Sequence, residues 1–287
     1  VNDGFLPREH VALMHPRQAK RVWDADTQHK AADVLAYVQA HGPVHPRQIE
    51  QHFAQGNVTN YWGGSSSATT HLLDGMHYRG MLRVVRRDSG TRVYEAVAHP
   101  PTDDSPASRA QRAAALVALV VHKYAPLPAA SLTYLVRLLG YGAPHLAPQI
   151  QTALRLAKQE LASCQINGTT WYWPADENPA SRRHTPDGAV RLLAPFDPVV
   201  WDRRRFTLLW DWTYTFEAYT PAPQRKLGYY ALPLLWHDRV IGWANVTAPQ
   251  GHMVVNFGYA DKAPQGADFR AALDDELQRM AYFLAAH

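Results

Sequence analysis

The sequence predicts an α+β chain: tandem winged-helix domains followed by a small β-barrel-like domain with a closing C-terminal helix. Three observations carry that prediction. Helical periodicity gives way to period-two alternation twice before residue 174. Each alternating stretch contains turn chemistry at its middle, Asp88-Ser89-Gly90 in the first and Asn167-Gly168 in the second. Beyond a polar, proline-containing stretch, PADENPASRRHTPDG, the composition shifts toward strand-forming residues.

The elements follow in order. Residues 1–26 read as a remnant of an upstream domain or a linker, because the chain opens on Val1 and enters directly into what reads as mid-domain sequence. In the first winged helix, 27–100, Ala31, Val34, Leu35 and Val38 mark one face of a helix over 27–41 that Gly42 and Pro43 stop. A short helix starts at Pro46 and carries Ile49 and Phe53. A Gly/Asn loop ending at 61–64 leads to a third helix, with Ser65, Ser66 and Ser67 as N-cap hydroxyls and Leu72, Leu73 and Met76 on one face. Residues 81–87 and 91–97 form the hairpin. The second winged helix, 101–174, repeats the order with helices over 108–124, 129–139 and 144–159 and a hairpin of 161–166 with 169–173. A linker covers 175–188. The β-barrel-like domain, 189–287, has strands over 190–193, 229–236, 239–246 and 253–259, with His237-Asp238 as a tight turn. Leu273, Leu277, Met280 and Phe283 recur at helical spacing in a closing helix over 269–286. The plain alternative is a helical bundle with two accidental hairpins.

Composition narrows the function classes. With 287 residues, 46% hydrophobic and 19% charged, the chain is no disordered, collagenous or coiled-coil protein. Its longest apolar run, 113–121, is too short to span a bilayer, and the one cysteine, Cys164, has no internal partner. A cytoplasmic, nucleoid-associated location is expected. Net charge is +4, and the excess is unevenly placed: 11 basic against 9 acidic residues up to position 100, 6 against 3 over 101–174, and 12 against 13 beyond. An anionic partner suits that distribution.

Winged helices lay the third helix in or across a DNA groove and rest the wing on the backbone. The candidates in the first copy are therefore Arg79, Arg83, Arg86, Arg87 and Arg92 on and before the wing, with Ser65, Ser66, Ser67, Thr69 and Thr70 as hydroxyl donors at the helix start. Arginine suits phosphate because its planar fork donates two bonds at once. Strand alternation places Arg83 and Arg86 on opposite faces. Solvated faces are the competing explanation for such a cluster. Gln149 and Gln151 read as an exposed pair on the third helix of the second copy. His71, Asp74 and His77 share a helix, but no HExxH or paired CxxC accompanies them, so no metal is expected. Asp197 before Pro198 reads as a turn former, and Asp202 as an ion-pair partner for the arginines that follow it. Trp201, Trp210 and Trp212 read as core.

The string PFDPVVWDRRR, followed by EAYTPAPQRKLGYYALPLL, resembles the C-terminal signature of the YcaQ/AlkZ-like winged-helix DNA glycosylases, which unhook interstrand crosslinks. HYRGMLRVVRRDSGTRVYEA and FLPREHVALMHPR are similar to other segments of that family, so the resemblance covers nearly the whole chain. It implies a concave basic surface on double-stranded DNA, alkylated or crosslinked, and hydrolysis of the N-glycosidic bond of N7-alkylated purines without metal or cofactor. It also implies a monomer, no nucleotide cofactor and no membrane. Asp197 and Arg203 would support the active-site wall, and Arg204, Tyr219, Thr220, Arg225 and Lys226 would contact DNA. The family's Gln-apolar-Gln or Gln-apolar-Asp motif lies upstream of where this chain begins, so the catalytic residues are unknown and these residues are expected to cleave weakly or not at all. Gln149-Ile150-Gln151 imitates the motif at a different position. Ala68, Thr69 and Thr70 stand where some relatives carry Lys and Arg. A winged-helix transcription regulator and a protein-interaction scaffold are the alternatives.

Overall fold

The computed structural model describes residues 7–15, 17–53, 57–59, 65–99 and 103–285. The chain is a mixed α+β fold that divides into two compact units, neither continuous in sequence: 1–120 with 133–160, and 121–132 with 161–287.

Unit one opens with α1 (Arg8–Met14) and α2 (Ala25–His41). Asp24 caps α2 by accepting from the Thr27 N–H at 2.8 Å, which starts the helix two residues before the apolar spacing does. Then come α3 (Pro46–Phe53), the short antiparallel pair β1 (Asn57–Thr59) and β2 (Ser65–Ser67), α4 (Ala68–Tyr78), β3 (Leu82–Asp88) and β4 (Thr91–Ala96). The loop at 61–64 and the side chains of Ser65 and Ser66 lie outside the described residues. The expected apolar faces converge: Ala31, Val34 and Val38 of α2, Ile49 of α3 and Leu72, Leu73 and Met76 of α4 share one core with Leu82 and Tyr94. Val44 bridges Tyr94 across paired backbone bonds of 2.8 and 2.9 Å, adding an edge to the hairpin that the sequence does not announce.

The segment before α2 is strapped to the end of α4. Arg17 donates to the Tyr78 carbonyl at 2.5 Å, Arg79 lies 3.6 Å over the Trp23 ring, and His15 stacks on His99 at 5.0 Å. Gly80, at φ +79, is what lets His15 close in: a Cβ there would stand 2.4 Å from the His15 Nδ1.

Next in the chain are α5 (Pro106–Tyr124), β5 (Leu127–Pro128), α6 (Ala129–Gly142) and α7 (Ala147–Glu160), then β6 (Ala162–Ile166) and β7 (Thr169–Trp173). Asn167 at φ 49 and Gly168 at φ 74 make the two-residue turn that the Asn-Gly pair predicts. β5 pairs with β7 as Val44 pairs with β4, so the order helix, edge pairing, helix, helix, hairpin occurs twice.

Unit two adds β8 (Val190–Leu192), α8 (Pro198–Trp201), α9 (Arg203–Trp210), β9 (Leu232–Trp236), β10 (Arg239–Thr247), β11 (Val254–Tyr259) and α10 (Ala267–Phe283). The strands form an antiparallel sheet in the order β11-β10-β9-β8, so the barrel-like expectation takes the form of a four-stranded meander with β8 and β11 at its edges. Two corrections follow. The stretch after Asp197 holds two short helices that period counting misses, because each is started by an aspartate cap rather than by an apolar stripe. Phe283 does not face the sheet but is 82% exposed. Phe269 and Leu273 pack there, and the buried Glu276 takes the next position, accepting from the Leu192 N–H at 2.7 Å and from Arg279.

Candidate nucleic-acid interface

Hairpin geometry decides which arginines can reach an anion. The β3–β4 register shifts between Val84 and Arg86, pairing Arg83 with Glu95, Val84 with Tyr94, Arg86 with Val93 and Arg87 with Arg92. Paired residues share a face, so this bulge carries Arg86 onto the side of Arg83. The expectation of opposite faces is overturned: a bulge is an extra residue that strict alternation cannot foresee. Arg83 pairs with Glu95 at 3.1 Å and Arg86 grips Asp88 at 2.9 and 3.1 Å, all four side chains remaining well exposed. Exposed pairs of this kind contribute about 0–1 kcal/mol and exchange readily for phosphate. Arg87 donates to the Gly90 carbonyl at 3.0 Å in the turn.

Arg92 and Arg79 serve the fold instead. Arg92 meets Asp74 at 2.5 Å, and Asp74 also accepts from the Tyr94 hydroxyl at 3.0 Å. Arg79 donates to the Gly75 and Arg21 carbonyls while stacked on Trp23, and burial lowers its pKa. Arg79 is held there because α4 ends at that point and leaves its last carbonyls to be satisfied, whereas Arg92 is held by the Asp74 carboxylate.

The start of α4 also departs from expectation. Ser67 occupies the N-cap position without a capping bond, and its hydroxyl donates to Glu50 at 3.1 Å. Thr69 is buried to 1% exposure, with no partner for its hydroxyl among the described residues, whereas Thr70 is exposed. On α7 the paired glutamines separate. Gln151 is exposed, but Gln149 is half-buried with its side-chain oxygen enclosed.

In unit two, Asp197 caps α8 by accepting from the Val199 N–H at 2.7 Å, and Asp202 caps α9 through the Arg205 N–H at 3.3 Å. The expected ion pairing of Asp202 gives way to backbone capping. Arg203 donates to the Val200 and Pro195 carbonyls and lies 4.3 Å from the Tyr214 ring, and Arg205, 4% exposed, donates to the Tyr124 and Pro198 carbonyls. Arg204 projects outward from the same turn. Trp210 and Trp212 pack against the core of Val200, Phe206 and Tyr214.

The loop after Tyr214 holds the feature that sequence reasoning missed. Glu217, 5% exposed, accepts from the Lys226, Leu227 and Gly228 N–H groups at 2.9, 2.8 and 3.2 Å and from Thr215 at 3.2 Å. Burial pushes its carboxyl up, but those donors pull it further down, leaving it below the usual glutamate value. Gly228 sits at φ +117, where a Cβ would strike the Asn245 amide, which itself donates to the Leu227 carbonyl at 2.7 Å. The loop so pinned presents Tyr219 at 93% exposure. Arg225 donates to the Thr220 carbonyl at 2.8 Å and lies over Tyr229, and Lys226 is exposed. The signal available was Glu217 itself, a single acid between Asp211 and Asp238. Among the described residues no group of three His, Cys, Asp or Glu is arranged to hold a metal ion.

A family model described as DNA glycosylase AlkZ-like matches residues 4–283. Among solved structures, the DNA glycosylase AlkZ of Streptomyces sahachiroi is similar in fold at 12% identity and a TM-score of 0.54, over 92% of this chain and 68% of that one. With the family's pattern running through both units of its structure, the chain belongs to the AlkZ-like DNA glycosylase family.

Proposed function

We propose that these residues are the DNA-gripping part of a glycosylase that excises N7-alkylated purines and unhooks interstrand crosslinks. Family membership over residues 4–283 carries the reading. Both helix–helix–helix–hairpin repeats, 27–100 and 101–174, act in it as winged helices, and 189–287 as the barrel-like domain. Arg83 and Arg86 supply phosphate contacts from one face of the first wing. Arg87, Thr70, Gln151 and Arg204 add polar contacts.

The reaction is hydrolysis: water adds to the sugar carbon as the base departs. An N7-alkylated purine is cationic and leaves readily, so positioning and electrostatics supply most of the catalysis. Asp197 and Asp202 are engaged as helix caps and Glu217 as a loop brace. In this reading Asp197, Asp202 and Glu217 hold helix starts and a loop in place, and the water-positioning groups are assigned elsewhere. A fluorescently labelled duplex carrying one N7-methylguanine tests this. Salt-sensitive binding with slow base release is expected. Absence of duplex binding overturns the reading, and rapid base release by these 287 residues overturns the assignment of the chemistry elsewhere.

A further inference from the structure

Unit two exposes aromatic surface that its own core does not require. Phe216 is the hub, with Phe196 at 5.3 Å and 65°, Tyr219 at 6.2 Å and 81°, and Tyr230 at 5.2 Å and 86° between rings. All three contacts are edge to face. Phe196 is 59% exposed, Tyr230 42% and Tyr219 93%. Surface aromatics held in one cluster mark an interaction site more often than they mark chance. Here the backbone beneath them is pinned by the Glu217 carboxylate and the Asn245 amide, so the rings are presented by a built loop rather than a loose one.

Charge identifies the occupant. Residues 218–230, AYTPAPQRKLGYY, carry two cations, Arg225 and Lys226, and no acid, and the acid that precedes them is buried and engaged. Aromatic faces beside cations suit a nucleobase and its phosphate: the base stacks on the ring and the anion meets the guanidinium or ammonium. A protein partner would need no such run of one-signed charge along the loop. We propose that this loop is a stacking platform for a nucleobase displaced from the duplex, with Tyr219 as the stacking ring. The proposal rests on the DNA-glycosylase reading and adds to it the unstacked base as ligand. Extruding a base costs a few kcal/mol, least where it is already unpaired, and stacking on a side chain offsets part of that cost.

The test compares two duplexes, fully paired and carrying one unpaired base, in equilibrium binding to the 287-residue chain and its variants. The wild-type chain is expected to favour the unpaired site by about 10-fold, the scale of one base–aromatic stack. Tyr219→Ala should bring the ratio of the two affinities to about 1, and Tyr219→Phe should keep the wild-type ratio. An unchanged melting temperature for both variants excludes misfolding. A preference that survives Tyr219→Ala, or a wild-type chain that binds both duplexes equally, overturns the platform and leaves the DNA-binding reading standing. A wild-type chain that binds neither duplex overturns both.

Discussion

Glu217 shows how one side chain can fix the course of an exposed loop. Its carboxylate takes three consecutive backbone N–H groups that a tight loop would otherwise leave unpaired. Hydrogen bonds to a charged acceptor are the strong ones, so Glu217→Gln should destabilise the chain by about 2 kcal/mol, read by thermal or denaturant unfolding. The pH dependence has a definite sign. The folded-state pKa lies below the ordinary 4.5, so the unfolded state binds the proton more readily. The Glu217 contribution is complete above that value and disappears as pH falls through the folded pKa. His15 has a similar dependence from the opposite charge. Burial first, then Arg17, His99, His77 and His145, lower its pKa from 6.5 to about 4. The unfolded chain again binds more protons, and stability should fall as pH drops from 6.5 toward about 4, by about 3 kcal/mol at most. A His15→Phe variant should show a shallower loss over the same range, and an identical pH profile would assign the acid sensitivity to other groups.

At the scale of elements, the β3–β4 hairpin sorts its arginines into two classes that measurement can separate. Arg83→Ala and Arg86→Ala remove exposed charges from one face, and each should lower the salt slope of duplex binding by about 1 while leaving stability nearly unchanged. Arg92→Ala leaves Asp74 without its ion pair beneath the hairpin and should lower the melting temperature instead. If all three variants shift binding alike, the sorting by face is wrong. Elements also show where sequence is legible. Helical faces such as Ala31, Val34 and Val38, and the Asn167-Gly168 turn, are visible because periodicity and turn chemistry are local properties. The bulge in β3 is not, because strict alternation admits no extra residue, and neither are the single-residue edge at Val44 and the edge strand β5, because each depends on a partner distant in sequence. The candidate interface divides the same way. Residue type singled out Tyr219 and Arg83, but nothing local reveals that Thr69 turns inward, that Arg79 lies on Trp23, or that Glu217 reaches the N–H groups of residues 226–228.

For the whole molecule, connectivity constrains what can fold alone. The polar stretch 175–188 reads as a natural cut point, yet unit two also recruits residues 121–132, far upstream of it. From that piece come β5, which completes a three-stranded sheet with β7 and β6, and the Tyr124 carbonyl, which accepts from the buried Arg205. Leu127 and Leu132 in the same piece are fully buried. A fragment of 175–287 would lose the sheet and one acceptor of a guanidinium that is 4% exposed. An uncompensated bond to a charged group costs about 1.5–3 kcal/mol, comparable with a substantial part of the ~5–15 kcal/mol by which a domain is stable. The fragment should therefore melt well below the full chain, or show no cooperative transition, when followed by circular dichroism and tryptophan fluorescence. Arg205→Met in the full chain provides the control: by removing the charge that needs Tyr124, it should perturb stability less than leaving that charge buried without its acceptor. A fragment that unfolds cooperatively at the melting temperature of the full chain would show that residues 121–132 are dispensable to unit two, and that its fold is determined wholly downstream of the stretch 175–188.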